Sequence, residues 1–540
     1  MADPLPLILL AGAPLLQGGS APPAEVPAFA GLPEQDFLSY TILVRADPAG
    51  EGLSGSCAYR VRAAEPLTAV RLHALDGPEW RVSFHDEAGR PLPARRVPGG
   101  LLLELPEPVP AGREVGFHAV FSGRPVDGLY REDNRYGRPV VFTDHFSSRA
   151  RGWLPCEDHP SDRAAFDLWI LHPAGSAAVG SGRWEDGAEP PVTPACGCPS
   201  ADPEPGWEVS HGRTVSDLPT YQLAFAVGPY ARAEEGGDPR LVPHYLWRRD
   251  LARARRGLGD HAAWMERMEQ TFGPYAYAKY CVVQVPTRWG GMENAGNTWV
   301  MESLFDGRDG GAGTLAHEFA HMWFGDAVGY AEWWEAWLSE GFASYFGPWL
   351  HAATGGPPLE RELERARRTW LASAAGRRLP IRWRSFRTSD DFFSSSSVNT
   401  YQKGAWVLHM LRGEVGDGAF FAGIRAWYRS NLGRAVTTAE LRAAMEQAAG
   451  RDLGWFFEQW LDRPGCPELS WKWLPDGCEL RQVQDGPPYR FWIRLAWTGA
   501  DGARAERRYR VEEATTRLPL PAGYRAPVVD PRVELLYRRG

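Results

Sequence analysis

The most informative stretch of the sequence runs from His317 to Glu340 and reads HEFAHMWFGDAVGYAEWWEAWLSE. It begins with the pattern H-E-x-x-H. On a helix, residues four apart lie one turn above each other, so His317 and His321 can reach one metal ion. Glu318 lies next to that face and can take a proton from a metal-bound water. A catalytic zinc site needs three protein ligands, and Glu340 is the candidate for the third.

A different metalloprotease pattern is excluded by the same stretch. That pattern continues H-E-x-x-H with a Gly three residues after the second His and a third His further on. Here the two positions hold Phe324 and Ala327. A chance match to H-E-x-x-H in a chain of 540 residues is uncommon, and the position of Glu340 makes it less common still.

The whole stretch resembles the gluzincin aminopeptidases, the family of aminopeptidase N and the leukotriene epoxide hydrolase. The resemblance rests on His317-Glu318-x-x-His321, Trp323-Phe324-Gly325 and Trp337-Leu338-x-Glu340-Gly341-Phe342-Ala343. It implies that the two His residues and Glu340 bind one zinc ion per chain, and that Glu318 is the general base. Ser339 stands where the family usually has Asn, and we expect this difference to have little effect.

A second motif precedes the first and reads Gly290-Gly291-Met292-Glu293-Asn294. Paired glycines allow the backbone to approach a ligand closely, although Gly-Gly turns are common in any protein. The segment is similar to the family's G-x-M-E-N motif, which forms an edge strand beside the substrate. The resemblance implies that all five residues contribute to substrate binding and that Glu293 binds the free α-amino group.

A third motif, Tyr401-Gln402-Lys403-Gly404-Ala405, follows residues 394–399, which we predict to form a polar loop. A Tyr at the start of an apolar helix is usually a half-buried core residue. The segment also matches the family's Y-x-K-G-A, whose Tyr donates a hydrogen bond to the oxyanion that forms at the scissile carbonyl. We therefore assign Tyr401 to catalysis.

Residues 143–166 carry a fourth resemblance, to a signature in the family's N-terminal domain. The matching residues are Ala150-Arg151, Pro155-Cys156-x-Asp158-x-Pro160 and Arg163-Ala164-x-Phe166. Family members often have an acidic residue or its amide five positions before that first Arg, where it helps to hold the substrate amine. Phe146 occupies this position here. We predict that Phe146 instead forms an apolar wall that favours apolar or aromatic N-terminal residues.

The distribution of β and helical patterns predicts several domains, as expected for a chain too long for one core. Apolar alternation broken by Gly and Pro runs from Phe37 to Ala231, helical periodicity follows, and alternation returns after Pro464. With the resemblance, this predicts a multidomain α+β protein. Its parts are a leader or disordered terminus (1–30), a large N-terminal β-sheet domain (31–236), a thermolysin-like, mostly helical catalytic domain (237–464) and a small C-terminal β-sandwich (465–540).

Charge and hydropathy limit the classes of partner and the cellular locations that are compatible with the sequence. A net charge of −8 and a pI near 6.0 argue against nucleic acid as a partner. No apolar run approaches the ~20 residues of a transmembrane span. Leu5 to Leu16 resembles the core of a signal peptide, but Asp3 replaces the expected positive charge. A cytoplasmic location is favoured, and export by an atypical signal peptide is the alternative.

The combined motifs predict a zinc aminopeptidase that removes N-terminal residues from peptides with a free N-terminus. A thermolysin-like endopeptidase is one alternative, since it uses the same ligand set but should cleave N-acetylated peptides equally well. Epoxide hydrolysis occurs in the family, but no residue pattern requires it here. A metal-binding scaffold without turnover is the alternative outside enzymology, and it would usually lack the base or the oxyanion donor.

Overall fold

The computed structural model describes residues 30–185, 204–307, 309–386 and 388–540. Residues 1–29 of the predicted leader lie outside this range. So does most of a Pro- and Gly-rich stretch that the sequence predicts to be a surface loop, with Cys196 and Cys198. Within the described part of the chain, no helix has the length and apolar character needed to cross a membrane.

The N-terminal part is built from β-strands because its apolar residues alternate. On the strand Glu114–Gly123, for example, Phe117, Ala119 and Phe121 are all buried while the residues between them are partly exposed. The strands are β1 (Gln35–Arg45), β2 (Leu53–Ala63), β3 (Leu67–His73), β4 (Trp80–Asp86), β5 (Pro91–Leu92), β6 (Ala94–Val97), β7 (Gly100–Val109), β8 (Glu114–Gly123), β9 (Leu129–Asp133), β10 (Pro139–Thr143), β11 (Ala165–Pro173), β12 (Ala177–Gly180), β13 (Arg183–Glu185), β14 (Trp207–Arg213) and β15 (Phe225–Gly228).

These strands form three sheets around one apolar core. The largest has eight strands in the order β13-β14-β11-β1-β2-β8-β4-β5, with β1 and β11 parallel and the other pairs antiparallel. A four-stranded sheet, β12-β15-β10-β9, and a three-stranded sheet, β3-β7-β6, complete this part. A 3₁₀ turn at Thr220–Gln222 joins β14 to β15 and becomes important below.

The central part combines a small sheet with helices. Its elements are β16 (Tyr230–Ala233), β17 (His244–Trp247), α1 (Leu251–Ala254), α2 (His261–Thr271), β18 (Cys281–Val285), β19 (Gly291–Met292), β20 (Asn297–Met301), α3 (Ala312–His321), β21 (Gly329–Tyr330), α4 (Trp337–Ala353), α5 (Leu359–Ala372), α6 (Ala374–Arg378), α7 (Ser389–Val398), α8 (Gly404–Val415), α9 (Asp417–Asn431), β22 (Ala435–Val436), α10 (Thr438–Ala449) and α11 (Gly454–Phe457). Five strands pair in the order β16-β17-β18-β20-β19, which leaves β19 at the edge. Because β16 belongs to this sheet, the central part begins at Tyr230 in the structure.

Local sequence signals predicted some helix ends and missed others. The capping box of α10 is present, with Thr437 and Glu440 bonded reciprocally as the sequence predicts. The helix-compatible residues around the two histidines run from Gly311 to Val328 and predict a helix over that range, but α3 ends at His321 and the chain then turns through Gly325 at φ 118°. Residues 394–399, predicted to be a loop, belong mostly to α7, so that prediction was wrong.

The C-terminal part is a sandwich of two sheets. Its strands are β23 (Glu468–Leu474), β24 (Gly477–Gln482), β25 (Phe491–Thr498), β26 (Arg504–Val511), β27 (Thr515–Pro519), β28 (Arg525–Val529) and β29 (Arg538–Arg539). They pair as β27-β24-β23-β29 and β26-β25-β28. Cys466 and Cys478, which flank β23, are both free thiols. The multidomain α+β architecture predicted from the sequence is confirmed.

Candidate metal centre and substrate cleft

The two histidines and Glu340 converge on one point. His317 and His321 lie one turn apart at the end of α3, and their Nε2 atoms are 3.1 Å apart. Glu340, in the first turn of α4, places its Oε2 3.5 Å from Nε2 of His317 and 3.4 Å from Nε2 of His321. The packing of α3 against α4 therefore brings together all three residues that the sequence predicts as ligands.

This triangle fits a zinc ion. Tetrahedral zinc with ligand bonds of roughly 2.0–2.1 Å places neighbouring ligand atoms about 3.3 Å apart, close to the separations observed. Glu340 Oε2 is also buried with no hydrogen-bond partner among the described residues. A buried carboxylate oxygen left unpaired is costly, so the arrangement is complete only when a cation occupies the triangle.

His321, the second predicted ligand, is oriented as metal binding through Nε2 requires. His321 Nδ1 lies 3.2 Å from the carbonyl oxygen of Phe324. A carbonyl can only accept, so Nδ1 carries a proton and Nε2 is the nitrogen available to a metal. The hydroxyl of Ser339 is 2.9 Å from the same Nδ1. Ser339, which stands where the family usually has Asn, therefore contacts a predicted ligand directly.

The electrostatics of the centre favour a positive charge. Burial disfavours the imidazolium form of His321, but the nearby carboxylates of Glu293 and Glu340 outweigh burial and raise its pKa well above the usual range. Burial also raises the pKa of Glu318, with a further contribution from Glu293. Glu293 and Glu318 thus lie beside the triangle that contains Glu340, and a divalent cation would relieve the mutual repulsion of the three buried carboxylates.

Glu318 lies under the edge strand β19. One carboxylate oxygen of Glu318, one of Glu293 and one ring nitrogen of His321 all lie within 4.8 Å of one another. A Cβ added at Gly291 would collide with the Glu318 carboxylate, so only glycine allows the strand to pass this close. The predicted base is therefore adjacent both to a ligand and to the strand that borders the cleft.

Tyr401 approaches the centre from the opposite side. It lies in a π-helical turn, Asn399–Lys403, directly before α8. Its hydroxyl donates a hydrogen bond of 2.6 Å to Glu340 Oε1, the oxygen that does not face the histidines. Burial and the Glu340 charge raise the pKa of Tyr401, so the phenol stays protonated and remains a donor.

A cleft of about 1350 Å³ is lined by the three predicted ligands, by Glu318 and by Tyr401. Of the residues predicted to bind substrate, Gly290, Gly291, Met292 and Glu293 line it, whereas Asn294 is buried outside its lining. Phe146 also lines the cleft. Its ring centroid is 4.6 Å from that of Phe393, and it contacts Tyr221 and Trp333 at 5.9 and 6.3 Å.

Other residues of the cleft were not singled out from the sequence. Phe393, on α7, completes an aromatic wall with Phe146. Trp289, which is 45% exposed, stands at the rim beside Arg288, whose guanidinium lies 4.6 Å from the indole centroid. The only sequence signal for Trp289 and Arg288 was their position next to Gly290.

A second group of potential ligands, Glu235, His244 and His261, is a hydrogen-bonded network rather than a metal centre. Both histidines lie 2.7–2.8 Å from the same Glu235 oxygen, Oε2, closer than two ligands of one zinc ion would be. His244 Nδ1 accepts a hydrogen bond from the backbone N–H of Val282, so its proton is on Nε2 and points at Glu235. The network fixes β17 to the start of α2.

Comparison with known proteins assigns the chain to a family. Residues 257–460 match the Peptidase family M1 domain, and residues 37–188 match the Peptidase M1 N-terminal domain. The chain belongs to the peptidase M1 family. The M1 domain match contains every predicted ligand, and the N-terminal match contains Phe146.

Curated relatives of this M1 chain include aminopeptidases. Aminopeptidase N of Streptomyces lividans is 30% identical over 374 residues, 63% of this chain and 40% of that protein. Aminopeptidase N of Canis lupus familiaris is 27% identical over 441 residues, which is 72% of this chain and 43% of that protein. Aminopeptidase B of Homo sapiens is 26% identical over 477 residues, which is 79% of this chain and 67% of that protein. The chain thus spans about two fifths of the length of both aminopeptidase N relatives.

Solved M1 structures share the fold. An M1 zinc metallopeptidase from Deinococcus radiodurans superposes with a TM-score of 0.66 at 24% identity, covering 82% of this chain and 98% of that one. A form of the Deinococcus enzyme bound to a Tyr-Ser-Ala substrate superposes with a TM-score of 0.63 at 25% identity, with coverages of 81% and 96%.

Proposed function

We propose that this protein is a zinc-dependent aminopeptidase that hydrolyses N-terminal residues from peptides. His317, His321 and Glu340 are the metal ligands, Glu318 is the general base and Tyr401 is the oxyanion donor. Glu293, with the backbone of Gly290 to Met292, holds the substrate. The family and the ligand triangle support a zinc hydrolase, and the position of Glu293 supports an aminopeptidase.

The observation that carries this proposal is the short distance between Glu293 and the reactive groups. Its carboxylate lies within 4.8 Å of donor atoms on Glu318 and His321 and is 4% exposed. A protonated amine bound there would leave room for one residue before the scissile carbonyl reaches the centre. An endopeptidase needs an open channel at this end of the cleft, where this structure has a buried negative charge.

The protein groups divide the chemistry among them. A zinc ion held by the three ligands would polarise the scissile carbonyl and lower the pKa of a bound water. Glu318 takes the proton of the attacking water and passes it to the departing amine. Burial raises the pKa of this carboxyl, which makes its ionised form a stronger proton acceptor.

Tyr401 supplies the remaining donor. In the structure its O–H is directed at Glu340 Oε1, and as negative charge develops on the carbonyl oxygen this bond is exchanged for one to the oxyanion. The proton stays on Tyr401 because burial and Glu340 raise its pKa. The bond to Glu340 keeps the phenol oriented in the absence of substrate.

The proposal is tested with a panel of aminoacyl reporter amides, each offered with a free and an N-acetylated amine. We expect hydrolysis of the free-amine series, loss of activity on chelation, recovery on adding zinc, and little hydrolysis of the acetylated series. Equal rates on both series would instead indicate an endopeptidase. Stoichiometric zinc without turnover of any substrate would indicate a scaffold.

A further inference from the structure

The turn that follows α3 supports the second metal ligand. After His321 the chain forms a tight turn in which Asp326 N–H donates to the carbonyl of His321 and Gly325 N–H donates to that of Val328. Gly325 adopts φ 118°, a conformation that side-chain-bearing residues rarely accept. The turn places the Phe324 carbonyl against His321 Nδ1. The orientation of this ligand therefore depends on the turn.

The N-terminal β part holds that turn from outside. Gln222, in the 3₁₀ turn between β14 and β15, is fully buried, and its side-chain amide lies 3.0 Å from the Gly325 carbonyl and 2.9 Å from Asp326 Oδ1. Tyr221 donates to the same Gly325 carbonyl at 3.4 Å. Arg163, between β10 and β11, donates to the Asp326 carbonyl at 2.8 Å. The β part thus binds both residues that immediately follow Phe324.

We propose that Gln222 is a positioning residue for the metal centre: by binding Gly325 and Asp326 it fixes the turn that orients His321. This inference rests on the proposed zinc site and adds a contribution from a different domain. Gln222 touches neither ligand nor substrate, so its effect passes through the turn. Without its amide, Asp326 Oδ1 loses a buried donor and the Gly325 carbonyl keeps only the longer bond from Tyr221. The turn is then held less firmly, and the Phe324 carbonyl can shift away from Nδ1.

The test compares zinc affinity in Gln222 variants. Gln222→Met keeps the length of the side chain and removes the amide, whereas Gln222→Glu replaces the donor by a carboxylate facing Asp326. Zinc dissociation constants are measured by competition with a chromophoric chelator. Outer partners of metal ligands change affinity by about 10- to 100-fold, and we expect Gln222→Met near the lower end of that range, with Gln222→Glu weaker still.

Arg135→Ala is the matched control, because it also removes a contact between the β part and the central part. Arg135 bonds Glu302 and Asp306, away from the turn. We expect this variant to keep wild-type zinc affinity, and the melting temperatures of the zinc-free variants show how far each substitution destabilises the fold.

The outcomes separate the two proposals. If Gln222→Met binds zinc as tightly as the wild type, or if Arg135→Ala weakens binding equally, Gln222 is only an interface residue and the inference is overturned. If Gln222→Glu does not fold, Gln222→Met alone decides the matter, since its apolar side chain fits the same space. A wild-type protein that binds no zinc would overturn the proposed function as well.

Discussion

Replacing Glu293 by Gln separates recognition of the substrate amine from catalysis. Gln has nearly the same shape but no charge, so the metal ligands, the base and the edge strand should remain in place. A hydrogen bond to a charged group contributes roughly 1.5–3 kcal/mol, and each 1.4 kcal/mol is tenfold. We therefore expect kcat/KM for free-amine substrates to fall by about 10- to 100-fold.

The assay measures kcat/KM for one apolar aminoacyl amide and for its N-acetyl derivative, in the wild type and in Glu293→Gln. The acetylated substrate has no charged amine, so its rate should change little and the preference for free amines should collapse. A variant that keeps the full wild-type preference would refute the assignment of Glu293. Equal loss on both substrates would show that Gln disturbed the centre itself.

The pH dependence of Glu293 gives an independent check. Burial raises its pKa to about 6 from an ordinary value of 4.5, with contributions from Glu340 and Asp144. Below that pH the carboxyl is protonated and cannot attract an ammonium group, so KM for free-amine substrates should rise as the pH falls. Bound zinc favours the ionised form, so in the loaded enzyme the rise begins at or below about pH 6.

The raised pKa of Glu293 also predicts that Glu293→Gln makes the zinc-free protein more stable at neutral pH. A carboxyl whose pKa is raised by folding destabilises the folded state above that pKa, here by about 2 kcal/mol in the zinc-free protein at pH 7. The penalty develops between about pH 4.5 and 6. Glu293→Gln removes it, so the zinc-free variant should melt above the zinc-free wild type at pH 7 and not at pH 4.

Four further substitutions test the remaining roles. Glu340→Ala should weaken zinc binding by about 10-fold or more, and full zinc content under chelator competition would contradict the ligand assignment. Glu318→Gln should keep the zinc and lose about 10²–10⁴-fold in kcat, because an amide cannot accept the proton; a tenth of wild-type activity would contradict this. Tyr401→Phe should lower kcat by about 10²–10³-fold, whereas a change in KM alone would make it a binding residue. Phe146→Gln should lower KM for single-residue amides by up to about 10-fold through a second polar contact to the amine, and an unchanged KM would show that residue 146 does not face it.

Two of the three predicted ligands could be placed side by side from the sequence, because their spacing is set by local geometry. Two histidines four residues apart on a helix need no tertiary information to share a face. Glu340 required the family resemblance, since nothing local fixes how α4 approaches α3. The resemblance placed Phe146 near the substrate and the structure places it at the cleft, but its contact with Phe393 depends on α7, whose second half the sequence predicted to be a loop.

The misjudged features share a physical cause, which is contact between segments far apart in the chain. The run of serines before Asn399 has weak helix propensity, and α7 forms against packed neighbours such as Phe392, which is fully buried. The contact of Ser339 with His321 also joins two different helices, so the sequence alone could not show it. The same holds for Gln222, which reaches Gly325 from another domain.

The shortness of β19 has a consequence for solubility. A strand at the edge of a sheet exposes unpaired backbone groups that can recruit other chains into growing β-structure. Here the edge strand is only Gly291–Met292, and it lines the same cleft as Phe146 and Trp289. Two residues are enough to align one peptide backbone but too few to stabilise an intermolecular sheet. The protein can thus keep an open edge for single peptides without becoming a template for its own aggregation.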